Sequence, residues 1–97
     1  MQSKKTAEKA QEQEFLNVES LEILRATEGK KGLVFFDMRL NGIYIYGMSV
    51  VSGRTGDFIS WPSRKGSDGN YYKYAYAPLR EETLKSILGA VQDKLDE

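Results

Sequence analysis

Aromatic rings interleaved with cations are the feature of this chain best suited to chemistry. Tyr72, Tyr74 and Tyr76 alternate along Asn70–Ala77 with Lys73 among them, and Tyr44 and Tyr46 follow closely on Arg39. Planar rings stack on nucleobases while Arg and Lys track phosphates, so this mixture on a β-sheet suits single-stranded nucleic acid. Tyrosines also pair across strands with no ligand involved, and the same face serves equally as a wetted sheet surface. Arg64 and Lys65 stand in Ser63–Gly69, a polar, glycine-bracketed stretch whose cations either wrap phosphates or solubilise a loop tip. Trp61, the single tryptophan, ends a strand beside that loop, and its ring either fills the core or stacks on a base.

Other chemistries find little material. The chain has no cysteine, hence no disulfide, thiol nucleophile or thiolate metal site, and no histidine for acid–base work or metal ligation near neutral pH. Its acids are scattered and converge on no catalytic constellation, and no Walker-type glycine loop occurs, so neither an enzyme nor a cofactor is expected. A nuclease using carboxylates alone ranks last among the readings.

The net charge of zero hides a division. Residues 30–80 hold eight bases against three acids, or +5, whereas residues 1–29 carry −2 and residues 81–97 carry −3. A basic middle, contributed to by Arg54 in the Ser52–Gly56 turn, suits a polyanion, and the acidic ends limit unspecific association. An ordinary solvated surface would show the same count.

These residues need elements to position them. With 97 residues, 40% apolar and 29% charged, the chain is long enough for one core. Residues 1–14 are polar and read as a flexible arm, and residues 15–97 as one ββββα domain. No apolar run is long enough to span a bilayer and the first residues do not resemble a signal peptide, so a cytoplasmic or nucleoid-associated location is expected. Phe15–Arg25 fits a strand or a short helix, with the strand preferred. Asn41-Gly42, which tolerates positive φ, predicts a type I′ hairpin pairing Leu40 with Ile43, Arg39 with Tyr44, Met38 with Ile45, Asp37 with Tyr46 and Phe36 with Gly47. That register puts Val34, Phe36, Met38, Leu40, Ile43 and Ile45 on a core face, and Phe35, Asp37, Arg39, Tyr44, Tyr46 and Met48 on the other. Asp57–Trp61 is a further strand stopped by Pro62, and Asn70–Ala77 is the last, closed by Pro78. Leu84, Ile87, Leu88, Val91 and Leu95 recur at helical spacing within Arg80–Leu95, and Gly89 leaves room for a close contact there. The fold class is α+β: a curved four-stranded antiparallel sheet followed by a C-terminal helix.

Phe58-Ile59-Ser60-Trp61-Pro62-Ser63-Arg64-Lys65, then Asp68-Gly69, then an aromatic strand ending at Pro78-Leu79 before a helix, resembles the DNA-binding family of stage V sporulation protein G. The resemblance spans about residues 43–93, with a more tyrosine-rich strand in this chain. The order of four strands and a helix also resembles the positive cofactor four family of transcription coactivators. That second resemblance implies a homodimer holding single-stranded DNA on curved sheets, with Arg39, Tyr44, Tyr46, Arg64, Lys65 and Lys73 on DNA and Leu84, Leu88 and Val91 joining the helices.

The leading expectation is therefore a non-catalytic, homodimeric binder of single-stranded DNA, or of RNA, with little sequence preference, serving replication, recombination or transcription. Arg39, Arg54, Arg64, Lys65 and Lys73 are its candidate cations, and Tyr44, Tyr46, Trp61 and Tyr74 its candidate rings. A sequence-preferring duplex or RNA regulator, and an adaptor that uses the aromatic face for a protein, are the alternatives. No membrane and no small-molecule substrate is expected as a partner.

Overall fold

Asn41 and Gly42 take φ angles of 51° and 83°, the doubly positive pair that a type I′ turn demands, and the hairpin they close is the centre of the molecule. The structure is a computed structural model and describes residues 14–97; the polar arm read over 1–14 lies outside the described residues except for Glu14. Strands β1 (Leu21–Glu28), β2 (Val34–Leu40), β3 (Ile43–Gly53) and β4 (Gly56–Ser60) form one antiparallel meander in the order β1-β2-β3-β4. Strands β5 (Ser63–Lys65) and β6 (Tyr71–Lys73) form a separate two-stranded ribbon, and helix α1 (Glu81–Leu95) ends the fold. The four-stranded sheet with a C-terminal helix is the α+β class expected from sequence, but the tyrosine-rich segment lies outside that sheet.

The first strand begins at Leu21, and the residues before it are pinned by the turn. The Asn41 side chain accepts the N–H groups of Glu19 at 2.7 Å and Ser20 at 3.1 Å, and donates to the Asn17 carbonyl at 2.9 Å. One turn residue therefore shapes its hairpin and also holds the chain entering β1.

The hairpin keeps its expected register for Leu40–Ile43, Arg39–Tyr44 and Met38–Ile45, then shifts: Phe36 faces Met48, not Gly47. An extra residue in β3 makes this bulge, with Gly47 at φ 85° and its N–H donating to the Asp37 carboxylate at 3.0 Å. The slip of one residue turns Met48 from the outer face, where a continuous register puts it, to full burial in the core. Ile43, expected in the core, lies beyond the packed region and is 64% exposed.

Phe36, Met38 and Met48 from the sheet and Ile87 from the helix are the largest fully buried side chains, joined by Ile23, Leu40, Ile45, Val50, Trp61, Leu79 and Val91. Helix α1 covers this face, packing chiefly on β1. Gly89 has nothing within 4 Å of where a Cβ would stand, so it marks no close helix contact. No described helix is long and apolar enough to cross a membrane.

Candidate nucleic-acid interface

The outer face of the sheet does bring Arg39 and Tyr44 together, but β1 adds an acid beside them. Glu22 pairs with Arg39 across β1 and β2, and its carboxylate lies 2.6 Å from the guanidinium, which also sits 5.9 Å from the centre of the Tyr44 ring. The Tyr44 hydroxyl first and the Glu22 charge second raise the Arg39 pKa above its ordinary value. Beside them Arg25 meets Asp37 at 3.8 Å. Each cation of this patch therefore has an acid, and the patch carries little field toward a polyanion. Tyr46 stacks on Tyr44 with centroids 6.4 Å apart.

The ribbon has a different character. Its register sets Arg64 opposite Tyr72, Lys65 opposite Tyr71 and Ser63 opposite Lys73, so each face presents a ring next to a cation. Every residue of β5 and β6 is exposed, and Arg64, Lys65 and Lys73 make no ion pair with any described residue. Arg64 and Lys65, expected on a loop, are thus on a strand that fixes their spacing. The aromatic strand, expected to run to Ala77, stops at Lys73; a bend at Tyr74 follows and Tyr76 lies outside any strand, so the three alternating tyrosines do not share one strand face.

Local chemistry explains why this ribbon forms. Its turn closes through the Gly66 N–H to the Asn70 carbonyl at 2.7 Å and the Gly69 N–H to the Gly66 carbonyl at 3.0 Å, with Gly69 at φ 89°. The Asp68 carboxylate accepts the Asn70 N–H at 2.9 Å and the Tyr72 hydroxyl. These bonds, that from Tyr72 foremost, hold the Asp68 pKa below its ordinary value and keep the turn's acid occupied by its own hairpin. A Cβ on Gly66 would come within 2.7 Å of the Tyr72 ring, so only glycine lets the ring lie flat across the turn. At the ribbon's root the Tyr74 N–H donates to the Pro62 carbonyl at 2.7 Å, and the Lys73 ammonium lies 5.8 Å from the centre of the Tyr76 ring.

The remaining expected residues fall elsewhere. Trp61 is only 8% exposed and meets Tyr76 edge-on at 5.4 Å, so its ring belongs to the core and is closed to a base. Arg54 stands on the turn after β3, at the opposite end of that strand from Tyr44. Val91 is buried beneath the helix, while Leu84 and Leu88 are half-buried and line an open apolar groove of about 590 Å³ with Phe15 and Phe58. Tyr71, 70% exposed and opposite Lys65, was not singled out from sequence. Its signal was the Asp68-Gly69 turn between Lys65 and Tyr71, which marks a hairpin.

No family model matches the chain, and no solved structure matches it. Its relatives include proteins carrying the name septation protein SpoVG. That of Clostridium perfringens strain 13 is 29% identical over 82 residues, covering 84% of this chain and 90% of the relative. That of Acetivibrio thermocellus is 33% identical over 70 residues, covering 72% of this chain and 73% of the relative. The chain belongs to the SpoVG family. The resemblance to stage V sporulation protein G is thereby supported, and that to the positive cofactor four coactivators is not. The names of these SpoVG relatives speak of septation, not of replication, recombination or transcription. The motif that carried the resemblance, from Phe58 through Asp68-Gly69, lies on β4, β5 and the ribbon turn.

Proposed function

We propose that this SpoVG-family chain binds nucleic acid without chemistry of its own, single-stranded DNA in first place, and does so through the β5–β6 ribbon. The observation that carries the reading is the cross-strand alternation of Arg64 with Tyr72 and Lys65 with Tyr71, rings and cations held at strand spacing on an exposed surface. Tyr71 and Tyr72 offer faces on which bases stack, while Arg64, Lys65 and Lys73 follow the phosphates; this requires no base-specific hydrogen bond and gives little sequence preference. The reading favours the ribbon over the main sheet, because Glu22 and Asp37 offset Arg39 and Arg25 there. In the cell it fits a regulator connected with septation, as the relatives' names suggest.

Two copies are proposed to associate along Leu84, Leu88 and the neighbouring Phe58, leaving both ribbons free; Val91 supports the helix from inside its own chain. One observation favours a second mode of binding: a two-stranded ribbon is narrow enough to enter a major groove of about 12 Å. Fluorescence anisotropy with a labelled thymidine oligonucleotide, its duplex and the matching RNA, each across a salt series, tests both. Binding that is strongest to the single strand and weakens with salt is expected. Tighter binding to the duplex would favour the groove mode, and affinity indifferent to salt would dismiss a phosphate-tracking ribbon.

A further inference from the structure

A second surface of different chemistry runs along β3. Strand β4 covers only Ser49–Gly53, so β3 from Ile43 to Gly47 has no strand on its outer side. In an antiparallel pair closed by a two-residue turn, alternate residues aim their backbone groups away from the partner. Here those are Tyr44 and Tyr46, whose N–H and C=O groups make no hydrogen bond to any described residue outside the sheet ladders. Facing this edge is the segment Tyr74–Pro78, in which the N–H groups of Ala75, Tyr76 and Ala77 also lack a backbone partner among the described residues. Between the two lies an open groove of about 800 Å³, bordered by Tyr44, Tyr46, Tyr74 and Tyr76 and floored by Ile45 and Ala75.

We propose that this groove receives an extended, uncharged segment of a partner protein, which adds as a strand to the Tyr44–Tyr46 edge and seats its side chains between the four tyrosines. Among the described residues no charged side chain lines the groove, Arg39 and Lys73 reaching only the Tyr44 and Tyr76 rings at its border, so an ionised peptide seated in it would lose hydration with no counter-charge beside it. The chain's own first residues suit it poorly, since Lys4, Lys5, Glu8, Lys9 and Glu12 crowd them. A second copy meets an obstacle as well: its β3 edge is walled by its own Tyr74–Pro78 segment, whereas a free-standing strand has no such wall. The groove adjoins the proposed nucleic-acid surface at Lys73, whose ammonium lies 5.8 Å from the centre of the Tyr76 ring, while Arg64 and Lys65 do not line it.

The test uses the full isotope-labelled chain and a blocked hexapeptide of alternating valine and threonine, followed through backbone amide signals and hydrogen exchange. Saturable shifts and slowed exchange at Tyr44 and Tyr46 are expected, as is their loss when the peptide is N-methylated at alternate residues. Ile43→Lys puts a charge at the groove mouth, at a position exposed enough to spare the fold, and is expected to weaken the peptide about tenfold. It should leave oligonucleotide affinity within about twofold. Unperturbed Tyr44 and Tyr46 amides, or equal binding of the methylated peptide, would overturn the proposal. So would protection of those amides that rises with protein concentration alone, which identifies a second copy, or displacement of the peptide by the oligonucleotide. Arg64→Ala with Lys65→Ala separates the readings, because it is expected to weaken oligonucleotide binding and leave the peptide bound.

Discussion

The N–H of Gly47 donates to the carboxylate of Asp37 at 3.0 Å, and this bond closes the bulge that carries Met48 into the core. Gly47 sits at φ 85°, where any residue with a Cβ is strained, although an added methyl would meet only the Pro62 Cβ at an ordinary 3.7 Å. Gly47→Ala is therefore expected to lower stability by about 1–2 kcal/mol through backbone strain alone, read from urea denaturation midpoints at unchanged slope. A loss below a few tenths of a kcal/mol would mean that the bulge relaxes.

Arg64→Ala combined with Lys65→Ala removes two exposed cations of β5 that make no ion pair among the described residues. Affinity for single-stranded DNA should fall for all sequences, and the slope of log affinity against log salt should flatten by about 1.4, since each phosphate contact on a single strand contributes roughly 0.7. Thermal stability should stay within about 0.5 kcal/mol, because neither side chain is packed. An unchanged slope would remove the ribbon from the interface.

Glu22 offers a test in the opposite direction. Its carboxylate holds Arg39 at 2.6 Å, so Glu22→Gln frees a cation beside the Tyr44 ring. Nucleic-acid affinity is expected to rise and the salt slope to steepen by about 0.7 if a single strand, or by about 0.9 if a duplex, passes over the sheet. No change would confine binding to the ribbon.

Acid should act on the ribbon turn only below the ordinary aspartate range. The Tyr72 hydroxyl and the Asn70 N–H keep the Asp68 pKa below its ordinary value, so the folded hairpin binds this proton less readily than the unfolded chain does. The contribution of Asp68 is complete above its unfolded pKa and disappears as pH falls through the lower folded value. Tyr72 ring and Asn70 amide signals are expected to move in that acidic window while core signals stay fixed, and Asp68→Asn should abolish the movement. Titration of those signals at ordinary aspartate pH would contradict it.

What could be read from the residues depended on the range of the forces involved. The Asn41-Gly42 turn and helix α1 are local: two adjacent positive φ angles and a 3.6-residue apolar period need no distant partner. The bulge left a trace as well, since the apolar residues change phase from Ile43 and Ile45 to Met48 and Val50 across Gly47, but strict alternation passes over it. The pairing of Glu22 with Arg39 had no such trace, because it depends on the register between β1 and β2, itself shifted by a bulge between Ile23 and Arg25. The end of the aromatic strand at Lys73 was equally hidden. Tyr74 and Tyr76 have strong strand propensity, but the Pro62 carbonyl accepts the Tyr74 N–H and Pro62 has no N–H to donate to the ladder, which ends there. Thus the cations of the candidate site were legible as residue types, whereas which of them lacked a counter-charge was a property of tertiary pairing.

Trp61 ties two regions together in a further way. Its indole is buried against the core and touches, edge-on, the Tyr76 ring that borders the groove along β3. Because the chain has one tryptophan, its emission comes from a single, well-defined environment. The molecule thus carries an unlabelled optical reporter one ring away from an open surface, able to register occupancy there by colour and intensity.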